Sequence, residues 1–460
     1  MPGGWWIYLK GCCIVRDAII FLLFAAVIPA IFKRPVVGAL AYAVFSLMNP
    51  HRMTYGPAYD FPFAMLTVIL TMISMVMSKE KKRIPSMPLV VVFCTFVVWI
   101  NFTSVFALEP NLVWFEWNRV MKTMVMIALT VMTVRTVRDV NALVATVALS
   151  LGFWGLKSGM FTIATGGGRG MLGPAGSFIT DNNTFALAMV MTVPLLVYLV
   201  SQAQIKWIRY ALLGVTLMTA LAVIGSYSRG AMLALTAMGS FLWLKSRNKV
   251  RIGILIVILA PFALLSMPAE WTSRMHSIDN YQEDSSALGR INSWHFAFNL
   301  ANQNPLGGGF LTFTPRLFRQ YAPNPEAFHV AHSIYFQVLG EHGYLGLGLF
   351  LLMFLYGWRA GTTVIKFCKG KDDLLWATTL AQMCQVSMIG YLTAGAFLTM
   401  AYYDMIYYVL AILVCLQKVL ILAPQQDNIP PMRLAFLDRF TGKGKWAPKP
   451  KPTRLGGRRA

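Results

Sequence analysis

The sequence predicts an all-α integral membrane protein that crosses the bilayer about twelve times. Of its 460 residues, 57% are hydrophobic and only 13% are charged. Nearly uncharged runs such as 89–107, 184–200 and 402–422 have the length and composition of transmembrane helices. A soluble all-α protein would show polar stripes at helical spacing, and these runs do not. Composition therefore excludes a soluble enzyme.

The net charge of +22 is explained by the membrane and not by nucleic acid. Lys and Arg cluster in short segments between apolar runs, such as 79–83, 245–251 and 359–371, and in the tail 424–460. If the spans alternate, these segments lie on one side, as the positive-inside rule requires of cytoplasmic segments. We therefore expect a cytoplasmic C-terminus, a basic tail facing membrane lipids, and no nucleic-acid partner.

The apolar runs divide the chain into four predicted regions. Transmembrane helices fill 1–267 and 333–423, an outer loop occupies 268–332, and the basic cytoplasmic tail occupies 424–460. The first apolar pair, within residues 18–47, is short and predicts either a hairpin or one broken crossing. The other predicted spans are 61–78, 88–107, 119–134, 140–164, 183–201, 207–225, 229–245, 250–267, 334–357, 375–396 and 402–422.

The loop 268–332 is about 65 residues long, and connections of that length usually carry function. Span alternation places it outside the membrane, with a short helix expected over 293–300 and a tight turn over 304–310. At its end, a helix beginning near Ser333 would place His332 where free N–H groups favour an anionic ligand. A neutral histidine there can take a proton, with Tyr335 and Glu341 in support.

Three arginines of the predicted outer face are candidate ligands for an anion. Arg229 lies in a tight polar turn between two spans, Arg290 follows a glycine in the long loop, and Arg169 lies in a glycine-rich loop at 166–170. The structural alternatives are a snorkelling Arg229, an Arg290 paired with an acidic neighbour, and an ordinary flexible loop around Arg169. Two adjacent phosphates match such guanidinium forks well.

Metal and cofactor chemistry are not expected from the sequence. His329 and His332 could bind a metal together with Glu341, but no third ligand lies at a characteristic spacing. The six cysteines suggest neither a disulfide framework nor a thiolate site, and no P-loop or dinucleotide fingerprint is present. Arginines that bind a pyrophosphate and a histidine that takes a proton suit transfer from a lipid-pyrophosphate donor, without a metal.

Several short motifs resemble the bacterial O-antigen ligase family and its broader ligase/polymerase superfamily. They cover about residues 165–360, in order around one long loop. The motifs are Ser228-Arg229-Gly230, Gly289-Arg290 ahead of Trp294, 305–309, and His332-Ser333 with 341–346.

The resemblance implies a glycosyltransferase with GT-C-like architecture in the bacterial inner membrane. It would transfer a glycan from undecaprenyl pyrophosphate to the lipid A-core oligosaccharide at a periplasmic active site, without a metal or other cofactor. On the matching positions His332 is the base, and Arg229 and Arg290 bind pyrophosphate. Arg169 is added on its charge and location alone.

The acceptor stays open at this point. The N-terminal part, around 48–52 and 59–62, resembles O-glycosylation ligases that accompany exosortase systems, which would use a protein acceptor. A polymerase would share the donor and use a second lipid-linked glycan as acceptor. A transporter is the alternative of another class, but its paired broken helices and mid-span charges are not seen in the sequence.

Overall fold

The computed structural model describes residues 4–78, 84–165, 172–245 and 285–422, and all regular structure in these ranges is helical. Short 3-10 or π-helical turns occupy Val44–Met48, Pro50–Met53, Asp372–Leu374 and Lys418–Leu422. The α-helices, numbered in chain order, are α1 Gly4–Lys33, α2 Pro35–Ala43, α3 Phe63–Met77, α4 Pro88–Val105, α5 Pro110–Thr133, α6 Val137–Ala164, α7 Asn182–Gln202, α8 Lys206–Ile224, α9 Arg229–Lys245, α10 Ser285–Gln303, α11 Pro315–Tyr321, α12 Ile334–Cys368, α13 Leu375–Gly395 and α14 Asp404–Gln417.

The protein is a multi-pass membrane protein. Seven stretches within the described ranges are long and apolar enough to cross a bilayer: Val15–Lys33, Pro88–Val105, Val137–Ala164, Asn182–Gln202, Lys206–Ile224, Ile334–Cys368 and Asp404–Leu422. Shorter apolar stretches are Pro35–Met48, Phe63–Met77 and Arg229–Leu244. The prediction of about twelve spans stays a prediction, and its span at 250–267 lies outside the described residues.

The first apolar pair forms a helical hairpin. Helices α1 and α2 pack against each other on either side of Arg34, whose guanidinium lies 3.6 Å from the Asp139 carboxylate at the start of α6. At the other end of the hairpin, Asp17 accepts a hydrogen bond from the backbone N–H of Ala58 at 2.8 Å. The two helices therefore run in opposite directions across the bundle.

Burial separates central helices from peripheral ones. Most residues of α6, α7 and α14 are buried, whereas α1, α4 and α8 expose large apolar side chains, as helices facing lipid tails do. Helices α6 and α8 approach closely at Gly155 and Gly159, because an added Cβ would collide with Thr219 and with the backbone of Met218. Such glycines, four residues apart, allow close packing inside a bilayer.

One end of the bundle gathers the polar connections, and we call it the site end. It contains the connections 172–181, 225–228, 304–333 and 396–403, which are joined by hydrogen bonds and packing described below. Helices α10 and α11 cover it with a small core of their own, formed by Phe296, Leu300, Leu317 and Phe318.

Several predicted element boundaries differ from the structure, and α12 continues to Cys368 where the predicted span ends at 357. The short helix expected over 293–300 is the 19-residue α10. Helix α5 begins at Pro110, whereas the span was expected to begin at 119. The charged residues in its first turns resemble a loop in the sequence, yet Glu116 is buried against neighbouring helices.

Candidate functional site

His332 lies at the entry to α12, as the sequence predicts. Helix α12 begins at Ile334, with Ser333 in extended conformation as the N-cap residue and no side-chain cap. The backbone of His332 has a φ of 42°, in the left-handed region that residues other than glycine rarely adopt. Its N–H group donates to the hydroxyl of Thr399 at 2.8 Å. The imidazole is half-buried at the site end.

Helix α10 fixes the segment that leads to His332. Three consecutive side chains, Asn292, Ser293 and Trp294, donate hydrogen bonds to backbone carbonyls of that segment, and the Trp294 ring also stacks on Phe336 with centroids 5.1 Å apart. The accepting carbonyls are Asn324 at 2.8 Å and Ala327 at 3.0 Å from Asn292, His329 at 3.0 Å from Ser293, and Ala331 at 3.1 Å from Trp294. The segment 324–331 is therefore held along the length of one helix.

Arg290 occupies the same helix, directly before these three residues. Gly289 packs against the imidazole of His329, and a Cβ added there would lie 2.6 Å from the ring carbon Cε1. The glycine therefore makes room for a second imidazole, whose centroid lies 6.5 Å from that of His332. This gives a physical reason for the Gly289-Arg290 pair that the sequence analysis singled out.

The surroundings of His332 favour its neutral form. Burial lowers the pKa of the His332 imidazole below its usual value, and the positive charges of Arg290 and His329 lower it further. The carboxylate of Asp181, at the start of α7, acts in the opposite direction. Arg290 thus lies close enough for its charge to act on His332, and the imidazole is ready to accept a proton near neutral pH.

Arg229 is the first residue of α9 and follows the turn formed by 225–228. That turn contains a left-handed Tyr227 and is held by Asn182, whose amide donates to the Ser226 carbonyl at 2.9 Å. Gly230 packs against Phe397 of the connection 396–403. The connection 396–403 therefore lies next to both elements. Its Phe397 is beside Gly230, the residue after Arg229, and its Thr399 accepts the hydrogen bond from His332.

A glycine after Arg229 is not required by packing. A Cβ added to Gly230 would lie 3.6 Å from the Phe397 ring and 3.7 Å from the Ala394 carbonyl oxygen, which are ordinary contacts. The motif Ser228-Arg229-Gly230 contains this glycine, and the structure offers no steric reason for it.

The two supporting residues proposed from the sequence make structural contacts. Tyr335 donates its hydroxyl to the carbonyl of Leu392 at 2.8 Å, which joins α12 to α13. Glu341 is 2% exposed and accepts hydrogen bonds from the Leu311 N–H at 3.2 Å and the Tyr402 hydroxyl at 2.7 Å. Glu341 thereby links α12 to two connections of the site end, 304–333 and 396–403. Arg169, the third predicted arginine, lies outside the described residues.

The glycine-rich stretch 305–309 is a packing element. Its Gly308 and Gly309 N–H groups each donate at 2.8 Å to carbonyls of α12, those of Gly340 and Glu341. Gly343 opposes the stretch with a φ of 67°, which kinks α12. Since the two N–H groups are already bonded to helix carbonyls, the stretch forms a tight connection, as the sequence analysis favoured, and does not form a phosphate cradle.

A charged cluster that the sequence analysis did not select borders the site. The Arg119 guanidinium carbon lies 3.3 Å from the ring centroid of Phe178 in the connection 172–181, and 3.8 Å separates the guanidinium from Glu116. Lys122 lies one turn further along α5. These three charges recur every third residue in an apolar helix, which is the signal that would have found them.

Two family models match parts of the chain. Residues 214–351, from α8 into α12, match the family model described as O-antigen ligase. The chain therefore contains an O-antigen ligase domain. The match includes Arg229, Arg290 and His332. Residues 15–204 match a family of unknown function, DUF5935, and no curated protein matches the chain.

The family match confirms the resemblance that the motifs suggested. It supports a glycosyltransferase-like ligase or polymerase in a multi-pass membrane protein that uses lipid-linked glycans. Helices α1 to α7 precede the match, and α13 and α14 follow it. Arg119 of α5 and the residues at the start of α7, Asp181 and Asn182, lie at the site end. Residues of both matched regions, 15–204 and 214–351, therefore lie at the site end.

Proposed function

We propose that the protein is a ligase that transfers a glycan from undecaprenyl pyrophosphate to lipid A-core oligosaccharide. The observation that carries this proposal is the half-buried His332 with its lowered pKa, next to Arg290, inside an O-antigen ligase domain. We place the reaction at the periplasmic face of the bacterial inner membrane, with the site end outside and the C-terminus in the cytoplasm. The support is that the basic residues at 135–138, 206–209 and 366–371 lie at the helix ends opposite the site end.

Four side chains divide the chemistry of the proposed reaction. The acceptor hydroxyl attacks the anomeric carbon while His332 takes its proton, and the bond from that carbon to the pyrophosphate oxygen breaks. The negative charge that develops on the leaving pyrophosphate is met by Arg290 and Arg229, with Arg169 as a further ligand. A single displacement of this kind inverts the anomeric centre. Since fixed guanidiniums take the leaving charge, the step needs no metal.

The test is transfer in vitro from an undecaprenyl-pyrophosphate glycan to purified lipid A-core acceptor, with a chelator present. We expect His332→Ala to lower the rate by about 100-fold or more, as loss of a general base does. Arg229→Ala and Arg290→Ala should each lower it by about 100-fold. The matched controls are the exposed His295→Ala and Arg319→Ala, which should retain wild-type activity.

Other outcomes assign other functions. Lengthening of the glycan on its lipid carrier would indicate a polymerase, and transfer only to a peptide would indicate a protein O-oligosaccharyltransferase. A protein that forms no glycosidic bond with any acceptor would contradict the proposal and leave a transporter. Full activity of His332→Ala would reject this histidine as the base.

A further inference from the structure

His332 has a backbone conformation that its surroundings must hold. A left-handed φ in a residue other than glycine costs about 1–3 kcal/mol and persists only where neighbouring contacts impose it. The φ of His332 is 42°. The contacts that impose this conformation also set the direction in which the imidazole points.

Two elements hold His332 from opposite sides. On one side, the Ala331 carbonyl accepts a hydrogen bond from Trp294 of α10 at 3.1 Å. On the other side, the His332 N–H donates to Thr399 Oγ1 at 2.8 Å, a normal length for such a bond. No side chain caps the start of α12. The Thr399 hydroxyl ties the residue that carries the imidazole directly to the connection 396–403.

The connection 396–403 is itself firmly anchored. Its backbone is bonded to side chains of the helices on both sides, so its position is fixed by the bundle. The bonds run from the Tyr391 hydroxyl to Met400 O at 2.9 Å, from Ala401 N–H to Gln337 Oε1 at 3.0 Å, and from the Tyr407 hydroxyl to Ala401 O at 3.0 Å. A side chain on this connection can therefore act as a fixed reference point.

The same connection contacts the start of α9. Phe397 lies beside Gly230, because a Cβ added to this glycine would be 3.6 Å from the Phe397 ring. Phe397 lies against the start of α9, which begins with Arg229, and Thr399 is bonded to His332. The connection 396–403 thus sets the position of α9 relative to His332. These two elements are far apart in the sequence, and this rigid connection lies beside both of them.

We propose that Thr399 is a positioning residue that holds His332 at a fixed distance from Arg229 through the connection 396–403. This inference rests on the function proposed above. In the transfer step, the proton leaves the acceptor on one side of the anomeric carbon and the pyrophosphate leaves on the other. The base and the guanidinium must therefore stand at a separation that matches the substrate. A misplacement of about 1 Å can cost about 100-fold in rate.

The experiment compares Thr399→Val, which keeps the shape and removes the acceptor oxygen, with Thr399→Ser, which keeps that oxygen. For Thr399→Val we expect kcat to fall about 10-fold to 100-fold while KM for the donor changes less than about 3-fold. Thr399→Ser should remain within about 3-fold of wild type. Adding Thr399→Val to His332→Ala should cost nothing further, because the two changes remove one function.

These results separate the inference from the proposed function. Transfer by wild type together with full activity of Thr399→Val, or equal loss in Val and Ser variants, would overturn the positioning role. Failure of wild type to transfer would overturn the proposed function alone. In that case the rate of His332 carbethoxylation by diethyl pyrocarbonate, with His295 as internal reference, still tests the inference. We expect that rate to rise at least about 3-fold in Thr399→Val, and an unchanged rate would reject the inference.

Discussion

Replacing Gly343 by alanine should destabilise the whole site end. Gly343 has a φ of 67° and a ψ of −172°, a conformation that is essentially restricted to glycine. A Cβ there would also collide with the carbonyl oxygen of Pro305. The stretch that follows Pro305 is bonded to α12 through the N–H groups of Gly308 and Gly309.

The magnitude follows from these contacts. The backbone strain costs about 1–3 kcal/mol, and displacing the stretch weakens two backbone hydrogen bonds worth about 1 kcal/mol each. We therefore expect Gly343→Ala to lower the free energy of unfolding by about 3 kcal/mol. Gly348→Ala is the matched control on the same helix, because no atom lies within 4 Å of its added Cβ. Helix propensity favours that change by about 1 kcal/mol.

The assay is thermal unfolding of the detergent-solubilised protein, with wild type and both variants at one lipid content. Gly343→Ala should unfold at least about 5 °C below wild type, whereas Gly348→Ala should match or exceed it. Equal melting temperatures for the two variants would show that the kink at Gly343 does not require glycine. The proposed packing of 305–309 on α12 would then be wrong.

Two further predictions concern ionisable groups outside the spans. Because the pKa of His332 is lowered, transfer should persist as pH falls below 6.5 and then decline as the imidazole is protonated. In pH profiles of kcat/KM, residual activity of Arg290→Gln should decline at higher pH than wild type and that of Asp181→Asn at lower pH; unshifted profiles would contradict the assigned charges. The hydrogen bond from Arg316 to Glu109, at 2.9 Å, lowers the pKa of that carboxyl, but Arg316 is 57% exposed. Arg316→Ala should therefore cost about 1 kcal/mol or less at pH 7, and this cost should shrink as pH falls through the lowered pKa, as melting at both pH values would show.

The sequence predicted the helical class because long, nearly uncharged apolar runs are typical of transmembrane helices. It also predicted the helix that begins after His332. It did not find Thr399, since a threonine in a short apolar connection resembles many others. It also missed Arg119, whose partner Phe178 lies on a different helix connection. The threonine has no periodic pattern, so only its neighbours identify it, whereas the three-residue spacing of Glu116, Arg119 and Lys122 was present in the sequence.

The roles of the glycines show the same division. The sequence marked Gly230, Gly289, Gly343 and 305–309 with similar weight. Only their neighbours distinguish them. Gly289 makes room for the His329 ring, Gly343 kinks α12, and a Cβ added to Gly230 would meet only ordinary contacts. The difference lies in atoms contributed by residues far away in the chain.

By itself the sequence determined a multi-pass helical membrane protein whose motifs resemble the O-antigen ligase family, with His332 after a long loop as its candidate base. These properties follow from local composition and short motifs, which can be identified in the sequence without knowledge of the fold. Only the tertiary structure decided that Arg290 and Asp181 both act on His332 and that one connection contacts both His332 and the start of α9. The reason is physical: charges and hydrogen bonds depend on distance in space, which helix packing sets and sequence spacing does not.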